Sequence, residues 1–266
     1  MRNFKGHSVN AKGFSTIELM IASTLGLLLL SGVVSLFIGS NRNYSMQEQL
    51  STIQENGRFA VMYLEDQLQK AGWGDDYLAD APAALDLTLS SDGATDAIAI
   101  SFLGKAGAVI DDRDCNGEIV AGGTVINRFY VDGTTNQMMC QGNGGAGIPQ
   151  PFLSNVEKFE VLYGVDTDTN CPDGVVNTYM NRDAILAQGY KGYVYSIKFA
   201  LLLKGDRPLQ NIVQKSGGYQ ILDKLYIPQE DKIVRRLFQQ TVFMPNAVFA
   251  TSSSPDRIMQ CMMNNL

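Results

Sequence analysis

The pattern of apolar and polar positions changes its period twice along the chain. From Leu19 to Ile38 the 20 residues LMIASTLGLLLLSGVVSLFI carry no charge. A helix of this length rises ~30 Å, the hydrocarbon thickness of a bilayer. Polarity changes at Ser40. From Asn41 to Ala71 the apolar positions Leu50, Ile53, Ala60, Val61, Leu64, Leu68 and Ala71 recur mostly three, four or seven apart, the signature of an amphipathic helix. Gly57 lies on the same stripe, where a close contact can use it, and Gly72 stands where a helix stops. Ser40–Ser45 contains neither Pro nor Gly, so the two stretches read as one helix of more than 50 residues. After Trp73 the period shortens to two. Strands are predicted over Ala97–Phe102, Thr124–Val131, Gln137–Cys140, Val156–Tyr163, Tyr193–Leu203, Tyr219–Ile227 and Ile233–Met244. The expected fold class is α+β: a long N-terminal helix packed on a mainly antiparallel sheet.

Charge orients the apolar span. Arg2, Lys5 and Lys12 precede it and no acid accompanies them, which places the N-terminus in the cytoplasm and the remainder across the membrane. The formal net charge is −6; without those three residues, 18 bases face 27 acids and the charge is −9. An acidic domain does not offer the Lys and Arg that bind phosphates, so no direct nucleic-acid binding is expected. All four cysteines lie beyond the span, in a compartment where disulfides persist. None is spaced as CxxC and no histidine lies near them, which argues against zinc. Four cysteines allow three pairings. An antiparallel hairpin turning at Asp132–Asn136 brings Cys115 close to Cys140, leaving Cys171 to hold Cys261 in the C-terminal tail.

The chemistry of catalysis is sparse. The only histidine is His7, so a chain cut after it has no His-dependent triad or metal site. No carboxylate pair stands out; neither an enzymatic activity nor a cofactor is expected. Gly142–Pro151 is Gly-rich but lacks GK[ST] and is not a phosphate loop. Two acidic loops are calcium candidates. Asp112, Asp114 and Asn116 with Gly117 open like a calcium loop, but its twelfth position is Gly123 rather than Glu. Asp166, Asp168, Asn170, Asp173 and Gly174 form the second, which lacks Gly at its sixth position. Turn-forming Asp, Asn and Gly account for both loops without metal.

The stretch GFSTIELM, Gly13–Met20, resembles the type IV prepilin signal: a basic leader, Gly, an aromatic residue, a Glu four residues further on, then a long apolar helix. An ordinary secretory signal would carry a shorter apolar core with its cleavage site after it. The resemblance implies cleavage between Gly13 and Phe14 by a prepilin peptidase and N-methylation of Phe14. Glu18 is then the fifth residue of the mature chain. A carboxylate beside lipid is costly unless paired, and in an assembled filament Glu18 would meet the amine of a neighbouring Phe14. Gly26, Gly32 and Gly39, with Ser23, Ser31 and Ser35, place small residues along the span, which permits close helix approach.

Two further segments resemble PilW-type minor pilins. QENGRFAVMYLEDQLQKAGW, Gln54–Trp73, is similar to the end of their long helix, with Gln69 where the family often has Arg. VRRLFQQTVFMPN, Val234–Asn246, is similar to their terminal strand, with Pro245 where Arg is expected. The implied organisation is a leader over 1–13, a transmembrane helix over 14–39, its amphipathic continuation over 40–72 and a β-rich pilin domain over 73–266. The implied function is that of a minor pilin of the type IV pilus, a structural subunit that helps to initiate assembly and sits at or near the tip. Its partners would be other minor pilins, the major pilin, the prepilin peptidase, the inner-membrane assembly platform and a large tip adhesin. It would begin as a single-pass inner-membrane protein with a periplasmic domain and end in the extracellular pilus. The rival readings are a J-type pseudopilin of a type II secretion system, which shares signal and helix, and a tip adhesin or DNA receptor with its own ligand.

Overall fold

The computed structural model describes residues 13–74, 84–104, 112–121, 123–168, 173–209 and 217–247. It divides into two units, Met1–Glu48 and Gln49–Leu266. Helix α1 runs over Thr16–Lys70 and contributes to both. In the first unit, helical residues 16–43 are all exposed. The hydroxyls on this stretch fold back on the helix itself: Ser23 and Thr24 donate to the Met20 carbonyl, Ser31 to Leu28 and Ser35 to Ser31. Such bonds satisfy a polar side chain without water, and they suit a helix in an apolar medium.

In the second unit α1 buries Gln49, Ile53, Gly57, Ala60, Leu64, Gln67 and Leu68 along one face. The predicted stripe is present, with Leu50 and Val61 only partly covered. The helix ends at Lys70, and Gly72 follows with a φ of 78° that an L side chain rarely adopts. Its N–H donates to the Ser101 carbonyl at 2.8 Å, so the helix stop is also the junction to the first sheet.

Two four-stranded antiparallel sheets follow. The first is a meander of β1 (Ala97–Leu103), β2 (Thr124–Asp132), β3 (Gln137–Gly142) and β4 (Gln150–Leu153) in that order. The hairpin between β2 and β3 closes on the pair Asp132–Gln137. The second sheet uses β5 (Val156–Val165), β6 (Thr178–Met180), β7 (Val194–Lys204) and β10 (Arg235–Phe243), ordered β10-β7-β5-β6. Short helix α2 (Arg182–Gln188) is capped by the Asn181 side chain, which accepts the Ala184 N–H at 2.9 Å, and ends at Gly189. One core joins the helix to both sheets: Ile53, Leu64 and Leu68 meet Phe129 and Met138 from the first sheet, and Phe159, Phe199 and Leu201 from the second.

The predicted strand Tyr219–Ile227 is instead a hairpin, β8 (Tyr219–Ile221) and β9 (Lys224–Tyr226), reversing at Leu222–Asp223. Leu222 takes a φ of 54°, a conformation for which the sequence offers no Gly or Asn. The hairpin packs Ile221 on Ala200 and Leu202 of β7. The second sheet is therefore covered on both faces, which explains why nearly every residue of β7 is buried. The Arg235 side chain is enclosed and joins Glu157 of β5 to Asp231. Its hydrogen bonds hold the Asp231 carboxyl down at about 2.

Candidate functional site

The sequence points to the start of α1, and there the local geometry is a capping arrangement. Ser15 precedes the helix; its Oγ accepts the Ile17 N–H, and its own N–H donates to Glu18 Oε2, both at 3.4 Å. The residues STIE thus form a capping box, in which Ser and Glu satisfy otherwise orphaned helix donors. Glu18 has a local role here that the resemblance alone did not suggest. Gly13 and Phe14 lie just outside the helix, and Phe14 is 90% exposed. From Ile17 onwards large apolar side chains stand open, among them Leu29 and Leu36 at 74% and 76% exposure. The helix is long and apolar enough to cross a membrane, and an uncharged surface of this extent requires lipid or protein cover.

The two segments that resemble PilW-type proteins meet in space. Phe238 of β10 lies over Gly57, where a Cβ would come within 2.2 Å of its ring. Gly57 is the gap that seats this ring. At the end of the helix the Asn246 side chain donates to the Gln69 carbonyl at 3.0 Å, across 177 positions of sequence, and satisfies an acceptor that the helix end leaves open.

Cys115 and Cys140 form a disulfide, the pairing expected from the β2–β3 hairpin. Cys171 and Cys261, the second expected pair, lie outside the described residues. A polar relay fastens the bridged loop to the helix. Gln67 Oε1 accepts the Asn127 side-chain amide at 3.0 Å, Asn127 Oδ1 accepts the Cys115 N–H at 2.9 Å, and the Tyr63 hydroxyl donates to the Cys115 carbonyl at 3.4 Å. Tyr63 also packs on Phe129 and Phe152. Burial, and then the charges of Asp66 and Asp114, push its hydroxyl above the ordinary tyrosine range. Gln67 and Asn127 carried no motif, and only their places on otherwise apolar faces could have singled them out.

Of the calcium candidates, Asp114 is buried and fastens the loop. Its Oδ1 accepts the Asn116 and Glu118 N–H groups and its Oδ2 accepts that of Gly144, all at 2.9–3.0 Å. Gly142 is open to make room for this carboxylate. The Asn116 side chain donates to the Ile148 carbonyl, and the Asp112 carbonyl accepts from Val120. In the second loop the carboxylates of Asp166, Asp168 and Asp173 gather within 4.8 Å of one another. Asp166 is fully buried and accepts the N–H groups of Asp168 and Gly174. Asn170 lies outside the described residues.

The architecture is thus a long N-terminal apolar helix continued onto antiparallel sheets, with its buried half keyed to the terminal strand. Residues 128–246 match the family model of Type IV Pilus-assembly protein W. That stretch runs from within β2 to just past the end of β10 and is under half of the chain; over it the chain is PilW-like. A type IV-like pilin from Thermus thermophilus is similar at 17% identity and a TM-score of 0.46, over 73% of this chain and 97% of that protein. No curated protein matches the chain.

Proposed function

We propose that the chain is a minor pilin of the type IV pilus, made as a membrane-anchored precursor and built into the filament as a structural subunit. One observation carries the reading: an exposed apolar helix, uncharged from Leu19 to Ile38, that follows directly on GFSTIE and continues into a folded core. Cleavage between Gly13 and Phe14 releases the basic leader, and the new Phe14 amine is N-methylated. Glu18 then has two uses. In a single chain it caps the helix; in the filament it pairs with a neighbour's amine, because a lone carboxylate among apolar helices is costly. The small residues from Ser23 to Gly39 let those helices approach. The domain stays on the periplasmic side until assembly carries it outward. Partners on this reading are other minor pilins, the major pilin, the prepilin peptidase, the assembly platform and a tip adhesin, with the subunit near the tip, where assembly starts. The work is structural, without catalysis.

The rival pseudopilin reading shares the signal and the helix, and deletion of the gene separates the two. Loss of surface pili with intact protein secretion supports the minor pilin. Loss of secretion with pili intact identifies the pseudopilin. Normal pili and normal secretion contradict both.

A further inference from the structure

Lys224, on β9, reaches from the β8–β9 hairpin to three carboxylates: Asp92 at 2.7 Å, Asp96 at 2.9 Å and Glu160 of β5 at 2.6 Å. The side chains of Asp96 and Glu160 are 4% and 3% exposed. The amine thus touches two buried carboxyls through the same nitrogen. Such a group contains a nucleophile, an electrophile and a proton carrier in mutual contact.

The hydrogen bonds give the two buried acids different parts. Asp96 Oδ2 accepts the Val161 N–H at 2.8 Å, and its Oδ1 accepts the Gly93 N–H at 3.1 Å. Two fixed backbone donors polarise this carboxyl and can hold negative charge that develops on its oxygens. Glu160 Oε2 lies against the ammonium but accepts no hydrogen bond, so it has room for a proton. Asp92 is the most open of the three at 13%. It and the Gly93 carbonyl accept from the Lys224 ammonium and fix Nζ beside the Asp96 carboxyl.

We propose that this cluster is a modification site, at which Lys224 and Asp96 join in an intramolecular isopeptide bond with Glu160 as the proton relay. The step needs no co-reactant. Glu160 carries one proton from the ammonium to Asp96 Oδ1, which leaves a neutral amine beside a neutral carboxyl. The Nζ lone pair attacks Cγ, and negative charge collects on Oδ2 against the Val161 N–H. Glu160 carries a second proton from nitrogen to Oδ1, the C–Oδ1 bond breaks and water leaves. One ammonium and one carboxylate become one amide and one water, and Glu160 ends as it began. Enclosure favours the first transfer because it cancels two buried charges, and the fixed contact replaces a bimolecular encounter. The carboxylates hold the ammonium's proton firmly, so that transfer is the slow step. The Lys224 side chain is 32% exposed, which gives the released water a way out. The bond ties the hairpin to the residue that leads into β1, across 128 positions of sequence.

The test is peptide mapping by mass spectrometry on the full-length protein purified in detergent, reduced, alkylated and cut with trypsin. The expected product is a branched pair: the Asp96 peptide joined to a Lys224 peptide that trypsin has not cut at Lys224. The pair is lighter than the sum of its parts by one water, and fragmentation places the bond between Asp96 and Lys224. Glu160→Gln should leave the two peptides separate. Separate peptides from the unsubstituted chain, with normal cleavage after Lys224, overturn the proposal, and so does a bond to Asp92 or Glu160 in place of Asp96. A Glu160→Gln chain bridged as fully as the unsubstituted one overturns the relay. Should Glu160→Gln fail to fold, the unsubstituted chain still decides on the bond, and Glu160→Asp, which draws the carboxyl back by one methylene, decides on the relay. A lower bridged fraction supports it and an equal fraction overturns it.

Discussion

The two halves of α1 present opposite surfaces. Over 16–43 the helix exposes its leucines all round, and from Gln49 it buries one face against two sheets. Backbone geometry is the same; only the sequence pattern differs. A stripe with a polar reverse side is satisfied by folding alone. An apolar cylinder is not, and has to find lipid or other helices. The same helix therefore serves stability in one half and leaves an apolar surface open in the other, and substitutions in the halves should read out in different assays.

The largest effect on stability is expected in the buried half. Leu64→Ala removes a side chain that is 1% exposed within the core and should cost about 2–5 kcal/mol. Leu29→Ala, on the open surface, should change the unfolding midpoint in detergent by no more than about 0.5 kcal/mol equivalent. Equal losses in denaturant titrations would erase the distinction. Next comes the disulfide. Cys140→Ser opens a loop with a sequence separation of 25 and should cost roughly 3–4 kcal/mol in the chain-entropy model, seen as an earlier transition that added reductant no longer shifts by way of this bridge. Asp114→Ala strips three backbone N–H groups of their acceptor and should cost about 1–3 kcal/mol. Thermal melts at neutral pH would register it, and an unchanged melt would show that solvent replaces the carboxylate. Among these polar and disulfide changes Glu18→Ala should be the mildest for the isolated chain, about 0.5–1 kcal/mol through the weakened cap, because its carboxylate makes only a long bond to Ser15. The same substitution should all but remove the protein from sheared pili. Wild-type abundance there would return Glu18 to a purely local role.

Much of this was legible because period and burial coincide. The alternation along Thr124–Asp132 gives the buried and half-buried alternation of β2 directly, and the stripe on α1 marks its core face. Legibility fails where tertiary contact overrides local signal. Lys224 sits mid-run in what reads as a single strand, and the turn at Leu222 lacks its usual residues, so the hairpin and its carboxylate cluster are hidden. Strand β4 begins inside the Gly-rich stretch Gly142–Pro151, where pairing with β3 rather than composition makes it a strand. Helix α2 did carry a signal, Asn181 at its start and Gly189 at its end, but seven residues are too few for a period to show. At the anchor the motif at Gly13–Glu18 was plain, while its capping geometry follows from STIE itself and needed only the capping-box rule.

The central claim is that the exposed half of α1 is delivered to a filament after loss of the leader. Intact-mass measurement of the protein recovered from sheared pili tests it most directly. The account predicts a chain beginning at Phe14 and carrying one methyl group, with Gly13→Leu accumulating uncut in the membrane and missing from pili. A pilus-borne chain that still begins at Met1, or a Gly13→Leu variant that is processed and assembled normally, would contradict it.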